Sequence, residues 1–548
     1  MAWDGEFTQV LGYGGYGGND NTQASSENGL ASSPPKNTPP PTHDGVAGHL
    51  VDLDWDGIDD LPFRVIIQPK VENASIQAYG GTSHPDNWME VEVGQAPEET
   101  QTVELFAMAA DPEHVGCHII RGDTRCILYL NTEHPHDHLV LRNCAQHVLC
   151  VTQLSATAPK TQELEVKPWS LIELDLGAWA ISANDERLVE LKVLKRTHWS
   201  VSRPRSEKRD AEEVLNLPSK ARLSPRLGRV REETLESQLT SNDILGLRRG
   251  EKLRVGTGEG SYTLKHLCMI ADTYNTRVSR AEHSGVPGKA ITVKIIKTAN
   301  AGEDATVYAA ESWMRETKIY SSLGKHFAIA EYLGSDARFH SIYMEHIDAK
   351  PLYYHRDDNF RFNGNTVRAW MILSDIAAAL SFIHSSNIVH ADVKLDNILF
   401  SHARGACLID FGMSFEEGSP QLIGGSPWYL PPEYLLRFDT RDRASDIWAL
   451  GVVMMWVLGR IPLPESTKSW NVGDLHPSGP SEERHETARN RMQDWVLTVL
   501  EARPNAGGQG DEIQAIVNGL VERNQKDRVD ALTLLRQIES SNLQQPPL

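Results

Sequence analysis

Positive charge, cysteine and long apolar runs are what this 548-residue chain has least of. Its 54 Lys and Arg face 74 Asp and Glu, a net charge of −20. Nonspecific nucleic-acid affinity comes from Lys and Arg displacing counterions from phosphates, so no direct nucleic-acid partner is expected. Six cysteines, at 117, 126, 144, 150, 268 and 407, are too few and too unevenly spaced for a disulfide framework. A reducing compartment is the expectation. The longest apolar run, 447–459, has thirteen residues, whereas a helix needs about twenty to cross a bilayer. It reads as a buried core helix, and no membrane partner is expected. The start, MAWDGEFTQVLGYGGYGGND, carries acid where a secretory signal needs positive charge and then an apolar stretch. A cytoplasmic address is the expectation.

At about 150 residues per domain the length suggests roughly three to four units. Residues 1–45, rich in Gly, Ser, Asn, Thr and Pro, have little to bury and read as a disordered tail. From 60 to 200, seven runs (FRVIIQ, TVELFAMA, CILYL, HLVLRN, HVLCVTQL, SLIELDLG, LVELKVL) alternate with turn residues. Such spacing predicts an all-β sandwich-like domain. Residues 201–250 read as a basic linker. Its clusters Lys208, Arg209 and Lys220, Arg222 resemble a bipartite nuclear-import signal, which leaves the nucleus open beside a plain solvated linker. From 262 to 540 strands come first (YTLKHLCMI, AITVKIIK, HSIYMEHI), then helices. In TVRAWMILSDIAAALSFIHSSN, Val367, Trp370, Leu373, Ala377 and Leu380 recur at helical spacing. A small sheet lobe, a larger helical lobe and a cleft between them are predicted.

Chemistry concentrates in IVHADVKLDNILF and, thirteen residues after Asn397, in LIDFGMSF. Phosphoryl transfer needs a carboxylate to position the attacking hydroxyl and oxygen ligands to hold magnesium on the triphosphate. Asp392, Asn397 and Asp410 make up that set, and Lys394 adds positive charge two residues beyond Asp392. The two segments match the protein kinase signature, and the 262–540 region is similar to eukaryotic-type Ser/Thr protein kinases. The resemblance implies an α+β two-lobed fold, ATP and Mg2+ as cofactors and a protein substrate. It also implies roles residue by residue. Lys294 in AITVKIIK would contact the nucleotide phosphates, held by Glu316 twenty-two residues later. Glu345 and Ile347 in IYMEHIDAKPL would offer a carbonyl and an amide to adenine, with Met344 behind them. In GGSPWYLPPEYLL, Ser426, Tyr429 and Glu433 fall where the family docks substrate, while Asp446 would anchor the catalytic loop and Arg528 would pair with Glu433. Lys394 and Ser426 favour Ser/Thr over Tyr specificity.

The family's glycine-rich lid should lie some sixteen residues before Lys294, which is where Val278 stands. All three glycines are missing there. Ala271, Thr273, Thr276 and Val278 occupy the nucleotide-covering positions instead, and without glycine the backbone approaches phosphates less closely. Weaker ATP affinity is expected. The cluster GTGEGS at 256–261 reads as a turn. Ala391 stands where many relatives carry an arginine that binds an activation-segment phosphate, so constitutive or partner-controlled activity is expected.

Two further readings concern the N-terminal half. Residues 100–200 resemble a forkhead-associated domain in strand order and late turn, implying a protein or phosphopeptide partner, although no SxxH phosphate motif is present; Arg142 is the basic candidate. His134, His136, His138, Cys144, His147 and Cys150 lack tight metal-ligand spacing and read as loop histidines and structural cysteines. The function expected is transfer of the ATP γ-phosphoryl group to Ser or Thr of proteins. Its rivals are a pseudokinase scaffold and a phospho-dependent adaptor working through the β domain.

Overall fold

The computed structural model describes residues 63–81, 88–96, 99–132, 138–154, 163–195, 199–202, 244–256, 260–298, 302–421, 424–437, 441–476, 481–503 and 512–542. The tail at 1–45, the 208–222 basic cluster, His134 and His136 lie outside them.

The N-terminal region consists of β1 (Phe63–Pro69), β2 (Ser75–Gly80), β3 (Trp88–Ala96), β4 (Glu99–Ala109), β5 (His114–Arg121), β6 (Thr124–Leu130), β7 (Leu139–Asn143), β8 (Leu149–Leu154), β9 (Glu163–Val166), β10 (Leu171–Leu174), β11 (Gly177–Ala183) and β12 (Glu186–Val193). They form a seven-stranded sheet, order β3-β4-β1-β12-β11-β8-β9, and a five-stranded sheet, order β10-β7-β6-β5-β2. One apolar core lies between them, including Val65, Ile67, Leu128, Leu141, Val151 and Leu191. The seven runs legible in the sequence are joined by β2, β3, β5, β9 and β11. Strand β11 (GAWAISA) is rich in small residues of low strand propensity. Strand β5 carries Gly116, where a Cβ would stand 1.9 Å from the Leu128 carbonyl oxygen of the neighbouring strand. Close backbone approach, not a break in the strand, explains that glycine.

The five-stranded sheet is apolar on both faces. Leu128 and Leu130 of β6, with Leu139 and Leu141 of β7, enter the core between the sheets. Their neighbours Ile127, Tyr129 and Val140 are equally buried but join a different core, shared with the C-terminal half. Strands covered on both sides read as unbroken apolar runs rather than as alternation.

A second seven-stranded sheet has the order β13-β14-β15-β16-β17-β19-β18, with β13 (Trp199–Ser202), β14 (Lys252–Val255), β15 (Tyr262–Asp272), β16 (Thr276–His283), β17 (Ala290–Ile296), β18 (Tyr332–Asp336) and β19 (Ser341–Glu345). It begins two strands ahead of the boundary expected at 262. Positive-φ Gly256 and Gly260 flank the β14–β15 turn. Helix α1 (Gly302–Ser322) packs beside this sheet.

The larger lobe holds α2 (Thr366–Ser385), α3 (Arg443–Val457), α4 (Glu482–Glu501), α5 (Glu512–Leu520) and α6 (Ala531–Asn542), with the short strands β20 (Lys350–Pro351), β21 (Ile388–Val389), β22 (Ile398–Ser401), β23 (Gly405–Leu408) and β24 (Phe415–Glu416). Asn365 caps α2 by accepting from the Arg368 amide, and Asp442 with Ser445 forms a reciprocal capping box on α3. Helix α2 is long and apolar enough by composition to cross a membrane, a match the run-length reading did not find; its apolar face is buried in the lobe. The apolar run 447–459 lies mostly in α3, which is buried nearly all round.

Candidate active site

Three segments converge at the cleft. Strand β17 presents Lys294 opposite Val278 of β16, α1 presents Glu316, and the turn after β23 presents Asp410. Lys294 Nζ donates to both Glu316 oxygens at 2.8 Å and to Asp410 Oδ1 at 2.7 Å. Burial works against the Lys294 ammonium, but the Asp410 and Glu316 carboxylates outweigh it and hold its pKa above the ordinary lysine value. Burial likewise raises the Glu316 pKa against the pull of Lys294. For Asp410 burial is outweighed by Lys294, so its carboxyl stays below the usual range.

Asp392 follows β21. Its Oδ2 accepts from Asn397 Nδ2 at 2.9 Å and pairs with Lys394 Nζ at 2.7 Å, while its Oδ1 accepts from Ser426 Oγ at 2.9 Å. Lys394 also donates to Ser426 Oγ at 3.0 Å. A carboxylate, an ammonium and a hydroxyl from two separate segments thus share one corner of the cleft.

What holds this loop lies beneath it. Asp446, buried on α3, accepts from the amides of His390 and Ala391 at 2.8 Å each and contacts His384 Nε2 at 2.9 Å. The Asp392 amide donates to His390 Nδ1 at 3.3 Å, and His390 Nε2 lies 3.2 Å from the Ile409 carbonyl. That places the proton on Nε2, and burial keeps the ring's pKa low. Phe411 is fully buried against Tyr320 and His390, with ring centroids 4.8 and 5.1 Å away. Arg528 pairs with both oxygens of Glu433 at 2.8 and 3.0 Å, over the face of Trp448. Tyr429 donates to Glu465 at 2.6 Å.

The residues expected to cover a nucleotide lie on the β15–β16 hairpin. Ala271 pairs with Val278 across it. Thr273 and Thr276 close its tip through their hydroxyls, 2.9 Å apart, with the Thr276 amide donating to Thr273 Oγ1 at 3.1 Å. Arg277 and Lys297 both grip Asp272 at 2.7 Å. Glu345 ends β19, and Ile347 is buried just beyond it.

Some participants were not singled out from the sequence. Arg441 is buried, donates to the Ala391 carbonyl at 3.3 Å, and exchanges backbone hydrogen bonds with the Gln421 side chain. A basic group from the segment before α3 therefore reaches Ala391. Glu311 on α1 accepts from Tyr129 at 2.9 Å and from Arg142 at 2.8 Å. Arg142, the basic candidate for a phosphopeptide, is thus engaged within the chain. Among the zinc-type residues, His138 bonds Asn131, His147 bonds Thr124, Cys150 donates to Glu163, and the described cysteines are all thiols outside disulfides. No cluster of three metal-type ligands occurs among the described residues.

The cleft between the two lobes thus gathers Lys294, Glu316 and Asp410 on one side and Asp392 with Lys394 on the other. Residues 276–538 match the protein kinase domain family. The domain is 37% identical over 116 residues to a probable cAMP-dependent protein kinase catalytic subunit of Encephalitozoon cuniculi (21% of this chain, 35% of that protein). It is 35% identical over 130 residues to the serine/threonine-protein kinase kin-29 of Caenorhabditis elegans (23% and 16%). Against the human serine/threonine-protein kinase Sgk2 it is 33% identical over 123 residues (22% and 33%). The chain therefore spans between about a sixth and a third of the length of these relatives.

Proposed function

We propose that this protein is an active Ser/Thr protein kinase that transfers the γ-phosphoryl group of ATP to Ser or Thr hydroxyls of protein substrates. The observation that carries this reading is the Asp392 carboxylate held between Lys394, Asn397 and Ser426, in the same cleft as the Lys294–Glu316–Asp410 cluster. Asp392 would orient the substrate hydroxyl and accept its proton, and Lys394 would offset charge on the transferring group. Lys294, fixed by Glu316, would bind the α- and β-phosphates. Glu345 and Ile347 would meet adenine.

The donor set suits magnesium. Asp410 Oδ1 is taken by Lys294 and the Gly412 amide, and Asn397 Nδ2 by Asp392, so Asp410 Oδ2 and Asn397 Oδ1 remain as hard oxygen donors. Two protein oxygens accord with an ion that completes its shell from substrate phosphates and water. Bound there, Mg2+ would neutralise phosphate charge. Ser426 beside Asp392, and the similarity to Ser/Thr kinases, support hydroxyl substrates of the Ser/Thr kind.

The pseudokinase scaffold has one observation in its favour, a lid tip closed by threonine hydroxyls rather than glycines. Phosphorylation of a generic Ser/Thr substrate by the full chain with ATP and magnesium separates the two readings. Activity should fall by about a thousandfold or more in Asp392→Asn and Lys294→Met. Wild type indistinguishable from both variants, with no binding of a fluorescent nucleotide, would replace this reading with the scaffold.

A further inference from the structure

Helix α1 is gripped from two sides. Toward the cleft, Glu316 holds Lys294. Glu311 precedes it by five residues, which at 3.6 residues per turn lies about 140° round the helix, and it faces the N-terminal β domain. There one carboxylate oxygen receives both Tyr129 Oη and Arg142 Nη1, at 2.9 and 2.8 Å.

The contact is more than one ion pair. Ile127 of β6 is paired with Arg142 of β7, and Tyr129 with Val140, so all four side chains leave the same face of the five-stranded sheet. That face is buried in the core that also contains Val307, Ala310 and Trp313 of α1. Met314 lies against Gly80 of β2, its sulfur 3.3 Å from where a Cβ would stand. Elsewhere the Ala337 amide donates to the Pro112 carbonyl at 2.9 Å, and β13, which follows the β domain in the chain, joins the small-lobe sheet beside β14. With Thr132 Oγ1 also 3.4 Å from His340 Nδ1, the β domain is tied to the small lobe at several places among the described residues, and the contact with α1 is on the helix that carries Glu316 into the cleft.

We infer that the N-terminal β domain is a built-in positioning device for the kinase site, in which Tyr129 and Arg142, acting through Glu311, hold α1 so that Glu316 stays on Lys294. This rests on the kinase reading and adds its regulation. A helix that carries half of a buried ion pair can shift as a rigid body, and a docked face that favours one position biases that equilibrium. Whatever detaches the β domain would lower phosphotransfer without touching the cleft. Tyr129 and Arg142 are positioning residues and contact no substrate.

The test uses the full chain and two readouts, phosphotransfer and hydrogen exchange across 302–322. Tyr129→Phe combined with Arg142→Ala removes both donors and spares the apolar packing. We expect kcat to fall roughly tenfold with the KM for the protein substrate within about twofold, and exchange across 302–322 to quicken. The charge swap Arg142→Glu with Glu311→Arg should restore kcat to within about threefold of wild type. Arg121→Ala, which breaks an exposed pair with Glu186 elsewhere on the β domain, should change neither readout. Unaltered exchange in the double variant, or quickened exchange with unaltered kcat, overturns the inference. Wild type that transfers nothing overturns the kinase reading and with it this control, whereas an active wild type with indifferent variants overturns the inference alone.

Discussion

Around the proposed catalytic turn, Ala391 after β21 and Asp410 after β23 both carry left-handed backbone, with φ of 63° and 69°, whereas no residue from 271 to 278 in the proposed lid hairpin has a positive φ. Non-glycine residues in that conformation cost about 1–2 kcal/mol each. The catalytic turn can hold them because buried charge surrounds it: Asp446 takes the amides of His390 and Ala391, Arg441 takes the Ala391 carbonyl, and Lys294 takes Asp410. The lid tip has two exposed threonine hydroxyls and the Lys297 ammonium, which donates to the Thr273 carbonyl. Strain sits where it is over-determined, beside the carboxylates of the proposed active site. The hairpin tip carries no such strain.

The strongest way to break that comparison is to remove the support beneath the catalytic turn. Asp446→Ala deletes the acceptor of the buried His390 amide and the half-buried Ala391 amide, and the partner of His384. Stability should fall by about 3 kcal/mol, read from denaturant unfolding. Because displacement of about 1 Å at a reacting group costs on the order of a hundredfold, kcat should fall at least that far. A loss no larger than that from Thr273→Ala would mean that the two turns are held alike.

Acid separates the lobes in another way. His340 is fully buried on the small lobe, has left-handed backbone, and has its pKa pushed down to about 3 by burial. Unfolded, its pKa would be about 6.5. The folded state therefore refuses a proton that the unfolded state binds, so the stability His340 contributes is whole above about pH 6.5 and is lost as pH falls toward 3, by up to about 1.4 kcal/mol per pH unit. Asp410 behaves otherwise, since Lys294 holds its carboxyl below the usual range and its contribution lasts to lower pH. Denaturant midpoints at pH 7, 5 and 4 should show His340→Gln losing about one proton's worth of slope. An unchanged slope would put the acid sensitivity elsewhere.

What could be read from the sequence follows from how local each feature is. Asp392, Lys394, Asn397 and Asp410 lie in two short segments whose residue types and spacing match the kinase signature, so they could be singled out without knowing the fold. The β runs were legible where Val, Ile and Leu dominate, and β5 and β11 were not, because Gly116 and the small residues of GAWAISA serve close packing rather than propensity. Arg441 and the Glu311 contacts were invisible for a different reason. Arg142 and Glu311 are 169 residues apart, and no spacing rule spans two domains. One signal was present: CILYL and HLVLRN are apolar at both odd and even positions, which means that a second surface covers the sheet.

The smallest expected effect belongs to the lid. Thr273→Gly removes a Cβ and one hydroxyl from the tip, while Asp272 keeps its clasp on Arg277 and Lys297. Glycine would let the backbone amides come nearer to phosphate, at the expense of the bonds that now close the turn. The first effect should prevail, because exposed hydroxyl bonds contribute less than about 1 kcal/mol each, and amide contacts with a phosphate are charge-assisted. The KM for ATP should then fall about threefold, worth roughly 0.65 kcal/mol, with kcat within about twofold, the signature of binding gained equally in ground and transition states. Steady-state kinetics at varied ATP would decide it. An unchanged or higher KM would mean that the threonine clasp orders the lid more than its Cβ atoms obstruct it, and the lid would then resemble the catalytic turn in depending on its side chains.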